Sequence, residues 1–247
     1  MATQTQALWQ DFAQTTWGQQ PTVLKGKEFI IGEETFQVFI QGCEQFRAGE
    51  LDEHAKLYIN GERLPTDQLA AALPTPEDGT PERYEERLMR DYDARSFLIY
   101  AYDLQKYWPE LTDRLEHFVG DLFDHVKCPG GPATVEIFMG RYKTTDGGIH
   151  KERCATFHGV LSGDKMMRVW PEDTWDPSQE ETLFKGDETT GHDEVYLKKM
   201  SADSCLDKAI DLVGEPGDVM YWPAGWWHIG LSPRLTVSVT LALYHSS

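Results

Sequence analysis

Cysteine is scarce. The 247 residues hold four, Cys43, Cys128, Cys154 and Cys205, and no two form a C-x-x-C pair. That scatter argues against a zinc finger or a disulfide scaffold and suits a reducing cytosol. No apolar run approaches the ~20 residues needed to span a bilayer. Met1 to Gln10 is polar and lacks the apolar centre of a signal peptide. Basic residues are few, 23 Lys and Arg against 41 Asp and Glu, for a net charge of -18. Phosphate binding needs basic surface, so nucleic acid is a poor partner. No internal repeat marks a solenoid or propeller. What remains is a chain expected in the cytoplasm, away from membranes. Its acidic surface either favours a cationic partner, such as a basic peptide, or serves solubility alone.

The residues present are those of a globular protein, 40% hydrophobic and 12% aromatic, and long enough to bury a sizeable core. The first half reads as mixed and mostly helical. Leu8, Trp9, Phe12 and Ala13 recur at helical spacing, and Trp17 to Pro21 ends that segment. Thr22-Val23-Leu24 reads as a short strand. Lys56 to Ile59 leads into Asn60-Gly61, a pair suited to a hairpin turn with positive φ. Pro74 to Thr80 is a loop, and Glu82 to Tyr92 is a charged surface helix. A helix from about Glu110 to Val126 carries the stripe Leu111, Leu115, Phe118, Leu122 and Phe123, and Cys128-Pro129-Gly130-Gly131 stops it.

Beyond that stop the period changes. Val135, Ile137 and Met139 alternate with Glu136, Phe138 and Gly140, as in a strand. Ala155–Leu161, Lys165–Trp170, Asp218–Tyr221 and Leu235–Leu243 read as further strands. Between Pro171 and Glu215, thirteen acids stand against four lysines. That is too long for an ordinary connection, so it is expected to be a functional lid or a decorated insertion. The fold class expected is α+β. Residues 1–130 form a mostly helical scaffold packing on a β core at 131–247, with the acidic insert at 171–215, all one compact unit.

Chemistry concentrates at His150-Lys151-Glu152 and at His228, far along the chain. Two imidazoles and one carboxylate are the ligand set of a facial triad, which holds Fe(II) on one side and leaves positions open. Residues i and i+2 face the same side of a strand, so His150 and Glu152 would both face a barrel interior. A lone H-x-E occurs often by chance. The Gly- and Trp-rich frame from Gly217 to His228 is what raises it. Lys165 lies fifteen positions after His150. Pointed into a barrel, it needs an anion, and the carboxylate of a metal-chelating co-substrate would supply one. The alternative is an exposed strand lysine.

These elements together resemble the JmjC and cupin-like Fe(II)/2-oxoglutarate oxygenases: His150-Lys151-Glu152, Gly163-Asp164-Lys165, and Pro216-Gly217-Asp218-Val219 running into Pro223-Ala224-Gly225-Trp226-Trp227-His228. The resemblance covers roughly residues 131–245, and Trp17 to Leu24 is similar to that family's N-terminal lead-in. It implies a double-stranded β-helix (jelly-roll or cupin) core, with iron held by His150, Glu152 and His228. Lys165 would pair with the C5 carboxylate of 2-oxoglutarate, and Thr156 would be a polar residue just behind the metal. Ser238, or Thr240 on the same strand face, would be a polar residue near the co-substrate. One departure stands out. Where the family often has a threonine three residues before the first histidine, this chain has Gly147, so a hydroxyl partner for Lys165 must come from Thr144, Thr145 or Tyr142.

The activity implied is a dioxygenase that hydroxylates a protein or peptide side chain and releases succinate and CO2. Action on a free amino acid or peptide natural product, N-methyl-lysine demethylation, a metal-dependent cupin isomerase and a non-catalytic cupin module remain as alternatives. Oligomeric state is not legible. His158, His192 and His245 are expected to be packed or surface histidines rather than ligands. Cys154 is expected to be a small buried hydrophobe, and Gly147-Gly148 a bend. Two of Trp222, Trp226 and Trp227 are expected to be plain core.

Overall fold

The computed structural model describes residues 4–26, 32–49, 55–184, 194–197 and 200–246. His192 and much of the charge-dense centre of the acidic insert lie outside them. The N-terminal part contributes helices α1 (Gln4–Thr15), α2 (Gly32–Arg47), α3 (Thr66–Ala72), α4 (Pro81–Tyr92) and α5 (Glu110–Phe123). Strands β1 (Thr22–Leu24), β2 (Ala55–Ile59), β3 (Glu62–Arg63) and β4 (Phe97–Ala101) are interspersed with them. Then follow β5 (Gly130–Tyr142), β6 (His150–Glu152), β7 (Cys154–Ser162), β8 (Lys165–Trp170), β9 (Glu180–Phe184), β10 (Glu194–Leu197), β11 (Ile210–Gly214), β12 (Val219–Trp222) and β13 (Trp227–His245).

Local chemistry accounts for several boundaries. Asn60 and Gly61 both have positive φ, 52° and 86°, which joins β2 to β3 in a tight hairpin. Thr80 caps α4 by accepting a hydrogen bond from the Arg83 amide, with Pro81 in the first turn. Helix α5 stops at Phe123, short of Val126, and the His125 amide then closes a tighter i→i−3 bond to the Leu122 carbonyl.

Two sheets share one long strand. The first runs β1-β12-β7-β13-β5-β4-β2-β3; in the second, β9, β10 and β6 lie on one side of β13, and β8 and β11 on the other. The early part of β13, Trp227 to Leu231, pairs with β8, and at His228 with β6. Its later part, Thr236 to Leu243, pairs with β5 on one side and β7 on the other. The register shift between Ser232 and Thr236 brackets Pro233, where a missing amide suits a break in the ladder. This is a jelly-roll core in an α+β fold. Three strands within 171–215 belong to it, since β9 pairs with β10, β10 with β6 and β11 with β8. Much of the stretch expected as lid or decoration is therefore wall. Nor is the first part only a scaffold: β1 pairs with β12 and β4 with β5.

Alternation decides which face each strand buries. Val135, Ile137 and Met139 are buried in the main apolar core, while Glu136 and Phe138 line the cavity on the other face. An aromatic cluster fixes the helices to the first sheet. Trp9 meets Phe12 and Phe118 edge-on at 5.3 and 5.4 Å, and Phe12 meets Tyr221 at 4.8 Å. The Gly18 amide donates to the Tyr221 hydroxyl at 2.9 Å, which anchors the Trp17-Gly18 segment to β12. No helix among the described residues is long and apolar enough to cross a membrane.

Candidate metal and co-substrate site

Strand β6 projects His150 and Glu152 to one side, and β13 sets His228 directly across from His150. One ligand atom from each of the three lies within 4.8 Å of the others. The two imidazole centres are 4.2 Å apart, and His228 Nε2 is 3.8 Å from the Glu152 carboxylate. Each ring is oriented from behind. His150 Nδ1 donates to the Gly148 carbonyl at 3.0 Å, and His228 Nδ1 donates to the Trp226 carbonyl at 3.1 Å. A carbonyl only accepts, so in the neutral rings both Nε2 atoms present lone pairs, the tautomer a metal needs. Burial, and after it the neighbouring His150, holds the His228 imidazole well below the usual histidine range. The Glu152 carbonyl accepts from the Gly225 amide at 2.8 Å, which ties the turn before His228 to the carboxylate strand.

The triad opens into a cavity walled by β5, β7, β8, β10, β12 and β13. Lys165, the first residue of β8, lines it and is only 2% exposed. Its ammonium donates to the Tyr142 hydroxyl and, at 3.1 Å, to Ser232 Oγ. Among the described residues it has no carboxylate partner. A buried cation held by two hydroxyls and the Tyr142 ring, whose centroid is 4.8 Å away, is short of the anion that would offset its desolvation. Gly230 makes room for it: a Cβ there would sit 3.0 Å from Lys165 Nζ.

The hydroxyl partners fall at one of the expected positions and at one not foreseen. Tyr142, at the end of β5, bonds Lys165, as does Ser232 on β13. Thr145 lines the cavity but accepts from the Gly230 amide at 3.3 Å, and Thr144 is outside the lining. Thr156 is buried, lines the cavity and lies 3.4 Å from Cys154 Sγ. Between the two β13 alternatives the lining distinguishes. Thr240, opposite His158, lines the cavity; Ser238, two residues earlier and opposite Val160, is buried outside it.

Gly147 has a structural counterpart. A Cβ there would sit 3.2 Å from the Tyr196 ring, and that ring stacks on His150 at 5.1 Å. Tyr196 comes from β10 in the acidic insert, so only the fold brings it here. Of the three tryptophans, Trp222 lines the cavity with its ring 5.0 Å from that of His228. Trp227 is core, packed edge-on against Trp175 at 5.7 Å, and Trp226 is partly buried against Trp222's apolar cluster. Cys154 is buried 3.8 Å from Glu152, and burial, then that carboxylate, pushes its thiol well above the usual range. Asp218 of the Pro-Gly-Asp-Val segment does not face the cavity. It is a turn staple that accepts from Lys25 Nζ at 2.6 Å and from the Glu215 amide at 2.9 Å.

The pattern of these positions matches the model of a cupin-like domain over residues 82–240, well over half of the chain. The chain belongs to the cupin-like family. Its match begins inside α4 and so takes in β4 as well as the β core. Among solved structures it is similar to Escherichia coli YcfD, with a TM-score of 0.52 and 16% identity over 97% of this chain and 53% of that one. A second structure, of YcfD as a ribosomal oxygenase in complex with cobalt and succinic acid, matches at TM-score 0.51 and 16% identity, over 97% of this chain and 52% of that one. The cupin-like chain thus spans about half the length of these structures, and at that identity the likeness is one of fold.

Proposed function

We propose that this chain is an Fe(II)- and 2-oxoglutarate-dependent dioxygenase that hydroxylates a side chain of a protein or peptide and releases succinate and CO2. One observation carries the reading. A two-histidine, one-carboxylate cluster shares a cavity with a buried lysine that lacks a carboxylate partner among the described residues. The donor set fits iron: two Nε2 lone pairs and one carboxylate on one side of a point, with the cavity on the other. His150, Glu152 and His228 would hold the ion. Lys165, assisted by Tyr142 and Ser232, would pair with the far carboxylate of 2-oxoglutarate, and Thr156 and Thr240 would line the path between. Bound iron and 2-oxoglutarate would supply oxidative decarboxylation coupled to transfer of one oxygen atom to substrate.

The residues' own work is to orient and to exclude water. The Gly148 and Trp226 carbonyls fix both imidazoles, Tyr196 stacks on His150, and Trp222 lines the wall beside His228. The net charge of -18 supports a basic polypeptide as substrate. The likeness in fold to YcfD, a ribosomal oxygenase, is in keeping with a protein substrate. Four unpaired cysteines support work in the reducing cytoplasm. Mass spectrometry of basic peptides after incubation with Fe(II), 2-oxoglutarate and ascorbate tests the reading. Gain of one oxygen atom with matching succinate is the expected result. Loss of a methyl group would assign demethylation instead, and no 2-oxoglutarate turnover with any peptide or amino acid would count against an oxygenase.

A further inference from the structure

His158 takes no part in the metal cluster, yet it lines the same cavity. It sits on β7 opposite Thr240, with its ring between those of Phe138 at 5.8 Å and Trp222 at 6.0 Å. It is 3% exposed. Nδ1 lies 2.7 Å from Thr240 Oγ1, whereas Nε2 is buried with no hydrogen-bond partner among the described residues. Burial, and after it the charge on Lys165, holds the ring well below the usual histidine range, so it is neutral. A neutral imidazole has one N–H and one lone pair, and Thr240 can satisfy only one of them. The group left over is an uncompensated polar atom in the wall of a ligand cavity, a defect that native structures seldom keep without a use.

Position says what the use is. His158, Lys165, Thr240 and the three triad residues all line one cavity. Trp222 bridges the two histidines, its ring 5.0 Å from His228. A dicarboxylate reaching from the triad to Lys165 therefore passes this imidazole. We infer that His158 is a co-substrate-binding residue whose Nε2–H donates to a carboxylate oxygen of 2-oxoglutarate, in the tautomer set by the Thr240 hydroxyl donating to Nδ1. The inference rests on the proposed oxygenase function and adds a neutral donor to the cation at Lys165. Neutrality matters, because a second buried cation beside Lys165 would raise the desolvation cost.

Calorimetric titration separates the two claims. Protein loaded with Mn(II) in place of iron is titrated with 2-oxoglutarate, and the Mn(II) affinity is measured separately. His158→Phe keeps the ring contacts with Phe138 and Trp222 but deletes both nitrogens. It is expected to leave Mn(II) binding unchanged and to weaken 2-oxoglutarate binding by about tenfold or more, the range for a hydrogen bond to a charged group. His158→Gln, which retains a donor, is expected to recover most of that loss, and Thr240→Val is expected to weaken binding because the tautomer is no longer held. If His158→Phe binds 2-oxoglutarate as tightly as the wild type while a Lys165 variant does not, His158 is only a wall and the inference is overturned with the oxygenase reading intact. Wild-type protein that binds Mn(II) but not 2-oxoglutarate would overturn the oxygenase reading itself.

Discussion

Replacing Lys165 with methionine keeps much of the side-chain volume and removes one buried charge. In the free protein the consequences oppose each other. Tyr142 and Ser232 lose a donor, while the desolvation penalty of a buried ammonium, several kcal/mol, disappears. The stability of the free protein should therefore change by no more than about 1–2 kcal/mol, a small shift in Tm. Co-substrate binding should change greatly. Leaving one member of a buried ion pair alone costs about 3–5 kcal/mol, which at about 1.4 kcal/mol per tenfold is on the order of a hundredfold to a few thousandfold in Kd. Calorimetry with Mn(II)-loaded protein reads the affinity. Melting with and without 2-oxoglutarate reads the linkage, since ligand at a hundred times Kd stabilises by about 2.7 kcal/mol. The wild type should show that gain, and Lys165→Met should show no more than about 0.4 kcal/mol at the same concentration. A variant within about threefold of wild-type affinity would refute the reasoning, because the buried charge would then have no anion to serve.

Two further predictions concern the frame that positions the site. Gly163, in the turn that delivers Lys165, has φ +70°, and a Cβ there would lie 2.2 Å from the Leu235 carbonyl oxygen. Gly163→Ala should lose at least the ~1–2 kcal/mol of a left-handed non-glycine residue and melt several degrees lower; an unchanged Tm would contradict the turn's role. Asp78, 4% exposed and 2.8 Å from Arg87, is held below the usual carboxylate range. Burial works against the charge there, but the Arg87 guanidinium and the Thr75 amide outweigh it. A lowered folded pKa contributes stability above the unfolded value of ~3.9 that is lost as pH falls through the folded one. Asp78→Asn should therefore be less stable than wild type at pH 7, and urea unfolding across pH should show the gap closing below about pH 4. A gap independent of pH would rule out that linkage.

The parts of the fold legible in the sequence were those with a clean period or a specific turn. Val135, Ile137 and Met139 alternate against Glu136 and Phe138, and the strand buries one set and turns the other to the cavity. Asn60-Gly61 encodes its hairpin in two residues. Strand β4, Phe97–Ala101, escaped notice because a short, wholly apolar run fits a buried helix as well as a strand. Gly230 and Pro233 disguised the first half of β13, whose passage from one sheet to the other is a tertiary fact. In the acidic insert the acids hid the strands. Arg168 pairs with Asp211 at 2.6 Å on the outer side of β11, while Leu212 points inward.

The candidate site divides the same way. His150 and Glu152 are two apart on a strand, so their shared direction follows from local geometry. Lys165 and Tyr142 belong to different strands and meet only because β5 and β8 both reach the cavity. Ser232, Tyr196, Gly230 and His158 had no local signal. Each matters through what lies beside it: Lys165 for Ser232 and Gly230, His150 for Tyr196, and the unpartnered Nε2 for His158.

The central claim is that one cavity takes Fe(II) at His150, Glu152 and His228 and 2-oxoglutarate between that ion and Lys165. Anaerobic optical titration tests it directly. Adding 2-oxoglutarate to the Fe(II)-loaded protein is expected to produce a visible charge-transfer band that saturates at one equivalent per chain and is absent in Glu152→Ala. A wild-type protein that binds Fe(II) at the triad but develops no band at any 2-oxoglutarate concentration would contradict the account.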